Sequence, residues 1–202
     1  MGTNAGKRKY LDIYGINNNN LEFGDFSDYE YSNPNRGYEI VRPKIDYKLN
    51  ESKYVLVEFP MVNQLKCCDK IIDKLMLMGL KVIIAHPERY KYVQENPDYL
   101  IPYLEKGVIF QSNIGSVIGM YGEGARICIN TLLKRNMIQA LATDAHKSNS
   151  IYKKIERVSS KMKEKISEDY FEELTITNPQ RILNDEDIEI RKYKKKKRFI
   201  FF

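Results

Sequence analysis

The stretch Tyr54-Val-Leu-Val-Glu-Phe59 is short and rich in branched apolar residues, and Val82-Ile-Ile-Ala-His86 repeats this character one segment later. Such runs are typical of strands in a parallel sheet, which are buried on both faces. Two further runs of the same kind occupy residues 108–111 and 138–142. The four runs therefore predict the strands of one parallel sheet.

Helical segments separate these strands. Residues 65–78 carry apolar side chains at helical spacing and end at Gly79, which suits a helix C-terminus. Further helices are predicted at residues 97–105, 124–134 and 151–165, and a last one starts at Asn178 as the N-cap, with proline in its first turn. Regular alternation of strand and helix with short connections predicts an α/β fold with right-handed crossovers.

Three regions differ in composition. Residues 1–50 are rich in Asn, Asp, Tyr and Gly and predict an irregular segment, with one short strand near residues 38–41. Residues 51–184 carry the strand and helix pattern and form the predicted (β/α) region. Residues 185–202 end in the basic run Lys194 to Arg198 and predict a disordered tail.

Charge and cysteine content restrict the function classes. The net charge of +6 lies mostly in the tail, so the body is nearly neutral and nucleic acid is not an expected partner. Contact with an anionic membrane surface is expected only through that tail. No secretory signal opens the chain, and the three cysteines form no even framework, so a reducing cytoplasm is the expected compartment.

Polar residues stand where each predicted strand ends. Glu58 ends the first strand, His86 the second, Asn113 follows the third, and Asp144 with His146 follows the fourth. Carboxyl ends of parallel strands meet at one edge, where active sites of barrel enzymes lie. Carboxylate and imidazole donors without thiolate suit manganese, iron or zinc. Each residue taken singly is also compatible with a hydrogen-bonded strand cap.

Arg89 follows His86 by three residues and has two interpretations. Its guanidinium is suited to binding phosphate, or it forms a surface ion pair with Glu88 or Glu95. A thiol phosphatase is excluded, because no cysteine begins a Cys-x5-Arg loop, and Lys134 stands at that distance from Cys128.

Five blocks of residues 50–184 resemble, in order and spacing, those of the capsule and exopolysaccharide tyrosine phosphatases of the polymerase-and-histidinol-phosphatase (PHP) superfamily. The blocks are Tyr54-Val-Leu-Val-Glu-Phe-Pro60, Ile84-Ala-His-Pro-Glu-Arg-Tyr90, Phe110-Gln-Ser-Asn-Ile-Gly-Ser116, Ala142-Thr-Asp-Ala-His146 and Asn178-Pro-Gln-Arg-Ile-Leu183. The resemblance implies a distorted (β/α) barrel with a cluster of divalent metal ions, manganese first and iron or zinc as alternatives.

The same resemblance implies roles for individual residues. Glu58, His86, Asp144 and His146 would be metal ligands, and Glu39 would be a bridging ligand. Arg89 would hold the substrate phosphate, with Asp144 and His146 also placed in the catalytic group. Members of the family open with a His-x-His strand, whereas this sequence has no histidine before His86. The expected barrel is therefore incomplete on its N-terminal side.

The expected function is metal-dependent hydrolysis of phosphotyrosine, on a protein such as a bacterial tyrosine kinase that controls capsule or exopolysaccharide synthesis. The alternative is a degenerate, catalytically inactive relative that serves as a phosphotyrosine- or protein-binding module. An incomplete barrel exposes strand edges and apolar surface, which favours homo-oligomers.

Overall fold

The computed structural model describes residues 11–12, 49, 52–62, 68–143 and 155–195. The five strands are β1 (Leu11–Asp12), β2 (Tyr54–Glu58), β3 (Lys81–Ala85), β4 (Ile109–Asn113) and β5 (Ala140–Ala142). The seven α-helices are α1 (Cys68–Leu77), α2 (Lys91–Glu95), α3 (Ile101–Glu105), α4 (Glu123–Lys134), α5 (Ile155–Lys163), α6 (Glu168–Glu172) and α7 (Asn178–Leu183). Short 3-10 turns cover Pro87–Arg89, Pro97–Leu100 and Ile114–Ile118.

The strands form one parallel sheet in chain order, β1 to β5. Leu56 stands beside Ile83, and Ile84 beside Phe110. Sequential order distinguishes this sheet from a doubly wound one, in which the order reverses at a switch point. It is the order found in (β/α) barrels. The predicted α/β class with parallel strands is confirmed.

Alternate strand residues face two different layers. Val55, Val57 and Phe110 belong to the main core, which the helices complete with residues such as Ile72 and Leu132. The opposite face carries a smaller cluster that contains Tyr54, Ile83, Ile109, Ala140 and Ile182. Because the side-chain period of a strand is two, Glu58 projects from the same face as Tyr54. Glu58 thus belongs to the same face of the sheet as the smaller cluster.

Several elements differ from the sequence prediction, which included neither α2 nor α6. Asn178 is not a helix cap, because α6, a π-helical segment at Glu173–Thr177 and α7 run on without a break. Its amide instead donates a hydrogen bond to the carbonyl of Gln139, 2.9 Å away, which fixes the helix against β5. The sequence also gave no strand at Leu11–Asp12, which pairs with β2. The strand predicted at residues 38–41 lies outside the described residues.

Residues 185–195 are ordered against the domain, whereas the sequence predicted a disordered tail from residue 185. The guanidinium of Arg191 contacts the carboxylates of Asp169 and Glu173 at 2.5 and 2.6 Å. The hydroxyl of Tyr193 donates to Glu105 at 2.8 Å. The described C-terminal chain therefore extends the domain past residue 184. Within the described residues, no helix has both the length and the apolar character that a membrane crossing requires.

Candidate active site

The candidate site lies at the carboxyl edge of the sheet. Glu58 is the last residue of β2, His86 directly follows β3, and Asn113 is the last residue of β4. Parallel pairing of these three neighbouring strands brings their ends to one edge. The segment from His86 to Tyr90 directly follows β3 at this edge. The side chains of His86, Glu88, Arg89 and Tyr90 each contact a different part of the fold.

Glu58 and His86 meet at this edge. Oε1 of Glu58 lies 3.3 Å from Nε2 of His86, and both side chains are largely shielded from solvent. The separation is longer than a charge-assisted hydrogen bond, which is about 2.8 Å from nitrogen to oxygen. It is close to the spacing of about 3.4 Å expected for two donor atoms that share one tetrahedral ion at about 2.1 Å.

The second ring nitrogen of His86 also has unused bonding capacity. Nδ1 is buried and has no hydrogen-bond partner among the described residues. In a metal-ligating histidine the second nitrogen normally makes a hydrogen bond, and no described residue supplies that bond to Nδ1. An oxygen and nitrogen donor set of this kind suits manganese, iron or zinc. Glu58 and His86 therefore fit a divalent-metal site as two of its ligands.

The backbone at His86 takes an uncommon conformation. Its φ of 35° and ψ of 54° fall in the left-handed region, where a residue with a Cβ is strained by about 1–2 kcal/mol. The amide of His86 donates to the carbonyl of Gln111 at 2.6 Å, which ties this conformation to β4. Pro87 then begins the 3-10 turn and fixes its direction. The strained residue is the candidate ligand itself, as is common at functional sites.

Glu88 is a completely buried carboxylate. Its Oε1 accepts hydrogen bonds from the backbone N–H of Asn113 at 3.0 Å and from the hydroxyl of Ser116 at 2.7 Å. Its Oε2 has no partner among the described residues. Burial raises the pKa of Glu88, and the hydrogen bonds from Ser116 and Asn113 oppose that effect. Glu88 fastens the turn to the end of β4.

Tyr90 fastens the same turn to the other neighbouring strand. Its hydroxyl oxygen accepts a hydrogen bond from the backbone N–H of Phe59 at 2.9 Å, just past the end of β2. Burial raises the pKa of Tyr90 well above its ordinary value. The ring of Tyr90 also meets the imidazole of His86 edge to face, with centroids 5.8 Å apart. The turn is therefore held on both sides, which fixes the position of His86.

Arg89 extends from the end of this turn and is partly exposed. Its guanidinium carbon lies 4.5 Å from the ring centroid of Tyr121, which is cation–π distance. The surface ion pair with Glu88 that the sequence allowed is wrong, because the Glu88 carboxylate is buried in bonds to Asn113 and Ser116.

The structure describes only two of the five predicted metal ligands. The structure brings Glu58 and His86 together, while Asp144, His146 and Glu39 lie outside the described residues. Within the described ranges, no group of three or more His, Cys, Asp or Glu side chains forms a complete metal site. The roles of all five residues as ligands stay predictions.

Sequence reasoning missed Glu88 and Tyr121. Glu88 reads as a surface residue because it is charged and lies in a loop, and its partners are 25 and 28 residues away. The one local signal is its place between His86 and Arg89, both already singled out. Tyr121 lies between two glycines, Gly119 and Gly122, in a turn that carried no sequence motif for catalysis.

The described thiols do not belong to this site. Cys68 and Cys128 are buried and free. Burial, together with the nearby negative charge of Glu88, raises the pKa of Cys128 to about 12. Since the thiolate is the nucleophilic form, Cys128 is unreactive at neutral pH.

Several known proteins are similar to this chain in sequence. CapC of Staphylococcus aureus is 31% identical over 157 residues, which cover 75% of this chain and 60% of CapC. The tyrosine-protein phosphatase YwqE of Bacillus subtilis is 37% identical over 98 residues, covering 48% of this chain and 39% of YwqE. The tyrosine-protein phosphatase CpsB of Streptococcus pneumoniae is 24% identical, covering 68% of this chain and 59% of CpsB.

A solved structure is similar to this chain as well. It comes from work on YwqE of Bacillus subtilis and CpsB of Streptococcus pneumoniae, described as metal-dependent tyrosine phosphatases. It matches with a TM-score of 0.66 and 28% identity, over 75% of this chain and 61% of its own. The fold expected from the resemblance is confirmed. This chain spans between 39% and 61% of the length of these relatives. The profile of the family described as "Capsular polysaccharide synthesis, CpsB/CapC" matches residues 28–184, so the chain belongs to the CpsB/CapC family.

Proposed function

We propose that this chain is a metal-dependent protein-tyrosine phosphatase. The observation that carries the proposal is the anchored turn from His86 to Tyr90, which sets an imidazole beside the Glu58 carboxylate and a guanidinium three residues on. The relatives YwqE and CpsB are named tyrosine-protein phosphatases, and the solved structure is described as metal-dependent. The names of these relatives and the contact between Glu58 and His86 together support the proposal.

The proposed metal ligands are Glu58 and His86, completed by Asp144, His146 and Glu39. A divalent ion, manganese first and iron or zinc as alternatives, would supply positive charge to the phosphoryl oxygens and activate water. The partial burial of Glu58 and His86 strengthens the attraction between their negative or neutral donors and such an ion. Their anchoring by the turn limits the reorganisation that ion binding would require.

Arg89 is the proposed phosphate-binding residue. A guanidinium stays charged at any physiological pH and offers paired N–H donors to two phosphate oxygens. Asp144 and His146 are proposed to hold or deliver the proton that the departing phenolate needs. Cys128 takes no part, since burial keeps it protonated.

The proposed substrate is a phosphotyrosine protein, in particular a bacterial tyrosine kinase that controls capsule or exopolysaccharide synthesis. The family's description as capsular polysaccharide synthesis proteins supports this assignment. A cytoplasmic location agrees with the free, reduced thiols of Cys68 and Cys128. Self-association remains part of the proposal, as expected for a barrel with open strand edges.

A second function is favoured by one specific observation. The chain contains only two histidines, His86 and His146, so few imidazoles are present for a metal cluster. A chain that binds phosphotyrosine through Arg89 without hydrolysing it would need no complete cluster. This second candidate is a phosphotyrosine-binding module.

One set of measurements separates the two functions. The purified full chain is assayed for metal content, for hydrolysis of a phosphotyrosine peptide with Mn²⁺ or with chelator, and for peptide binding by calorimetry. We expect hydrolysis that chelator abolishes and that thiol alkylation leaves unchanged. If hydrolysis continued in the presence of chelator and was abolished by thiol alkylation, the proposal of metal-dependent hydrolysis would be wrong. Binding without turnover at any metal concentration would establish the binding module instead.

A further inference from the structure

The surroundings of Arg89 include an aromatic residue for which neither the fold nor the metal site accounts. Tyr121 lies in the turn that joins the 3-10 segment Ile114–Ile118 to α4. Its ring faces the Arg89 guanidinium, with 4.5 Å from Cζ to the ring centroid. The neighbouring Gly119 and Gly122 have φ values of 80° and 93°, in the region that favours glycine.

The two members of this contact stand on segments that are bonded to each other. Ser116, in the segment before Tyr121, donates to Glu88, which directly precedes Arg89. The turn that carries Tyr121 is closed by backbone hydrogen bonds from Gly119 to Ser116 at 3.0 Å and from Gly122 to Gly119 at 3.1 Å. The buried Glu88 therefore fixes the distance between the backbone of Arg89 and the backbone of Tyr121.

A cation–π contact with a ring is compatible with anion binding by a guanidinium. An aromatic ring contacts the flat face of the guanidinium, whereas its five N–H donors lie in the plane and point outward. A long arginine side chain otherwise samples many rotamers, and ordering it opposes binding. A ring held at a fixed place removes much of that disorder before the ligand arrives.

We propose that Tyr121 is a positioning residue that orients Arg89 for the phosphate group of phosphotyrosine. This inference rests on the proposed function, since it assigns the phosphate to Arg89. The ring, and not the hydroxyl, performs the task, because the contact with Arg89 runs through the ring face. Tyr121→Phe should therefore behave like the wild type, and Tyr121→Leu should not.

The first test measures the arginine itself. The order parameter of the Arg89 Nε–Hε bond is obtained by ¹⁵N relaxation in the full chain without ligand. We expect similar values for the wild type and Tyr121→Phe, and a clearly lower value for Tyr121→Leu. Equal order in all three proteins would overturn the proposal, whether or not the chain is a phosphatase. Thermal melts confirm that both variants fold, as expected for a partly exposed turn residue.

The second test measures binding of a phosphotyrosine peptide by calorimetry. Loss of one exposed cation–π contact should weaken binding about two- to fivefold in Tyr121→Leu, with Tyr121→Phe unchanged. In an Arg89→Ala background, Tyr121→Leu should have no further effect, since a positioning residue acts only through its partner. Equal weakening in both backgrounds would mean that Tyr121 contacts the ligand directly, which overturns the positioning role. If the wild type bound no phosphotyrosine peptide, the proposed function would be refuted. The order parameters would still show whether Tyr121 orders the Arg89 side chain.

Discussion

Asp187 at the amino edge of the sheet and Glu88 at its carboxyl edge have opposite surroundings. At the amino edge, Asp187 accepts contacts from Lys53 at 2.8 Å and Lys81 at 2.6 Å, and its side chain is 73% exposed. At the carboxyl edge, Glu88 is completely buried, and its Oε2 has no hydrogen-bond partner among the described residues. The imidazole of His86 is also buried, and its Nδ1 has no hydrogen-bond partner among them.

The Asp187 carboxylate is exposed to water, whereas the Glu88 carboxylate and the His86 imidazole are buried. Exposed ion pairs contribute little because water screens them. A buried carboxylate or imidazole with unused bonding capacity lowers stability, and Glu88 and His86 place two such groups at the edge where barrel enzymes have their active sites. Asp187 at the amino edge then provides a control position for variants made at the carboxyl edge.

The largest expected effect is on activity. His86→Ala and Glu58→Gln should each lower metal-dependent hydrolysis of a phosphotyrosine peptide at least about 10- to 100-fold, as loss of metal-site support commonly does. Asp187→Asn at the amino edge should leave turnover unchanged. Steady-state kinetics with titrated Mn²⁺ measure this. If His86→Ala kept full activity, the metal site could not depend on His86, and its proposed location at this edge would be wrong.

The next effect is on stability at Glu88. Glu88→Ala leaves the Ser116 hydroxyl and the Asn113 amide without their acceptor, at a cost of about 1–3 kcal/mol for each buried donor. Glu88→Gln keeps an acceptor oxygen and removes the buried charge, so it should cost much less at neutral pH. Urea unfolding of both variants, with the exposed Glu95→Gln as control, measures the difference. Similar losses in the two Glu88 variants would contradict the role of Oε1.

The same residue predicts a pH dependence with a definite sign. Burial raises the pKa of Glu88 above its ordinary value of 4.5. The stability that Glu88 contributes is therefore fully present below 4.5 and is lost as the pH rises through the raised value. Relative to Glu88→Gln, the wild type should become less stable as pH rises above 4.5. If the free energies of unfolding of the two proteins changed in parallel with pH, the pKa of Glu88 would not be raised.

These residues also show where sequence reasoning succeeds. Strands β2 and β3 were predictable because a buried parallel strand is apolar along its whole length, so the pattern is local. The meeting of Glu58 with His86 followed from their places at the ends of adjacent strands. Both inferences need only the chain order of the strands, which short connections determine.

The same reasoning fails where the partner is distant in sequence. Nothing near Glu88 indicates that its carboxylate is buried, because Ser116 belongs to another loop. Asn178 has the composition of a helix cap, but its amide bonds to Gln139 across the fold. Arg191 lies in a charged segment that the sequence predicts to be disordered, but its guanidinium pairs with Asp169 and Glu173 in the structure. In each case a tertiary contact overrides the local preference.

A smaller effect concerns the backbone of His86. Because its φ is 35°, a Cβ is strained there, and His86→Gly should be more stable than His86→Ala by about 1 kcal/mol even though both lack the imidazole. Denaturant unfolding compares the two variants directly. A more stable His86→Ala would mean that the turn relaxes out of the left-handed region once the imidazole is removed.

The smallest effect is expected at the amino edge, with Asp187→Asn. Hydrogen bonds from Lys53 and Lys81 lower the pKa of Asp187 to about 2. The stability that this carboxylate contributes is present above its ordinary pKa of 3.8 and is lost as the pH falls through 2. At neutral pH the whole contribution is present, yet it is small because water and salt screen an exposed pair.

Asp187→Asn should therefore unfold at nearly the same urea concentration as the wild type, with any difference shrinking further in high salt. Asn at this position can still accept a hydrogen bond from either lysine, so the variant removes charge and little else. The measurement is a pair of urea titrations at low and high ionic strength. A loss as large as that of Glu88→Ala would show that the amino edge also depends on its charges, and the contrast between the two edges would no longer identify the active site.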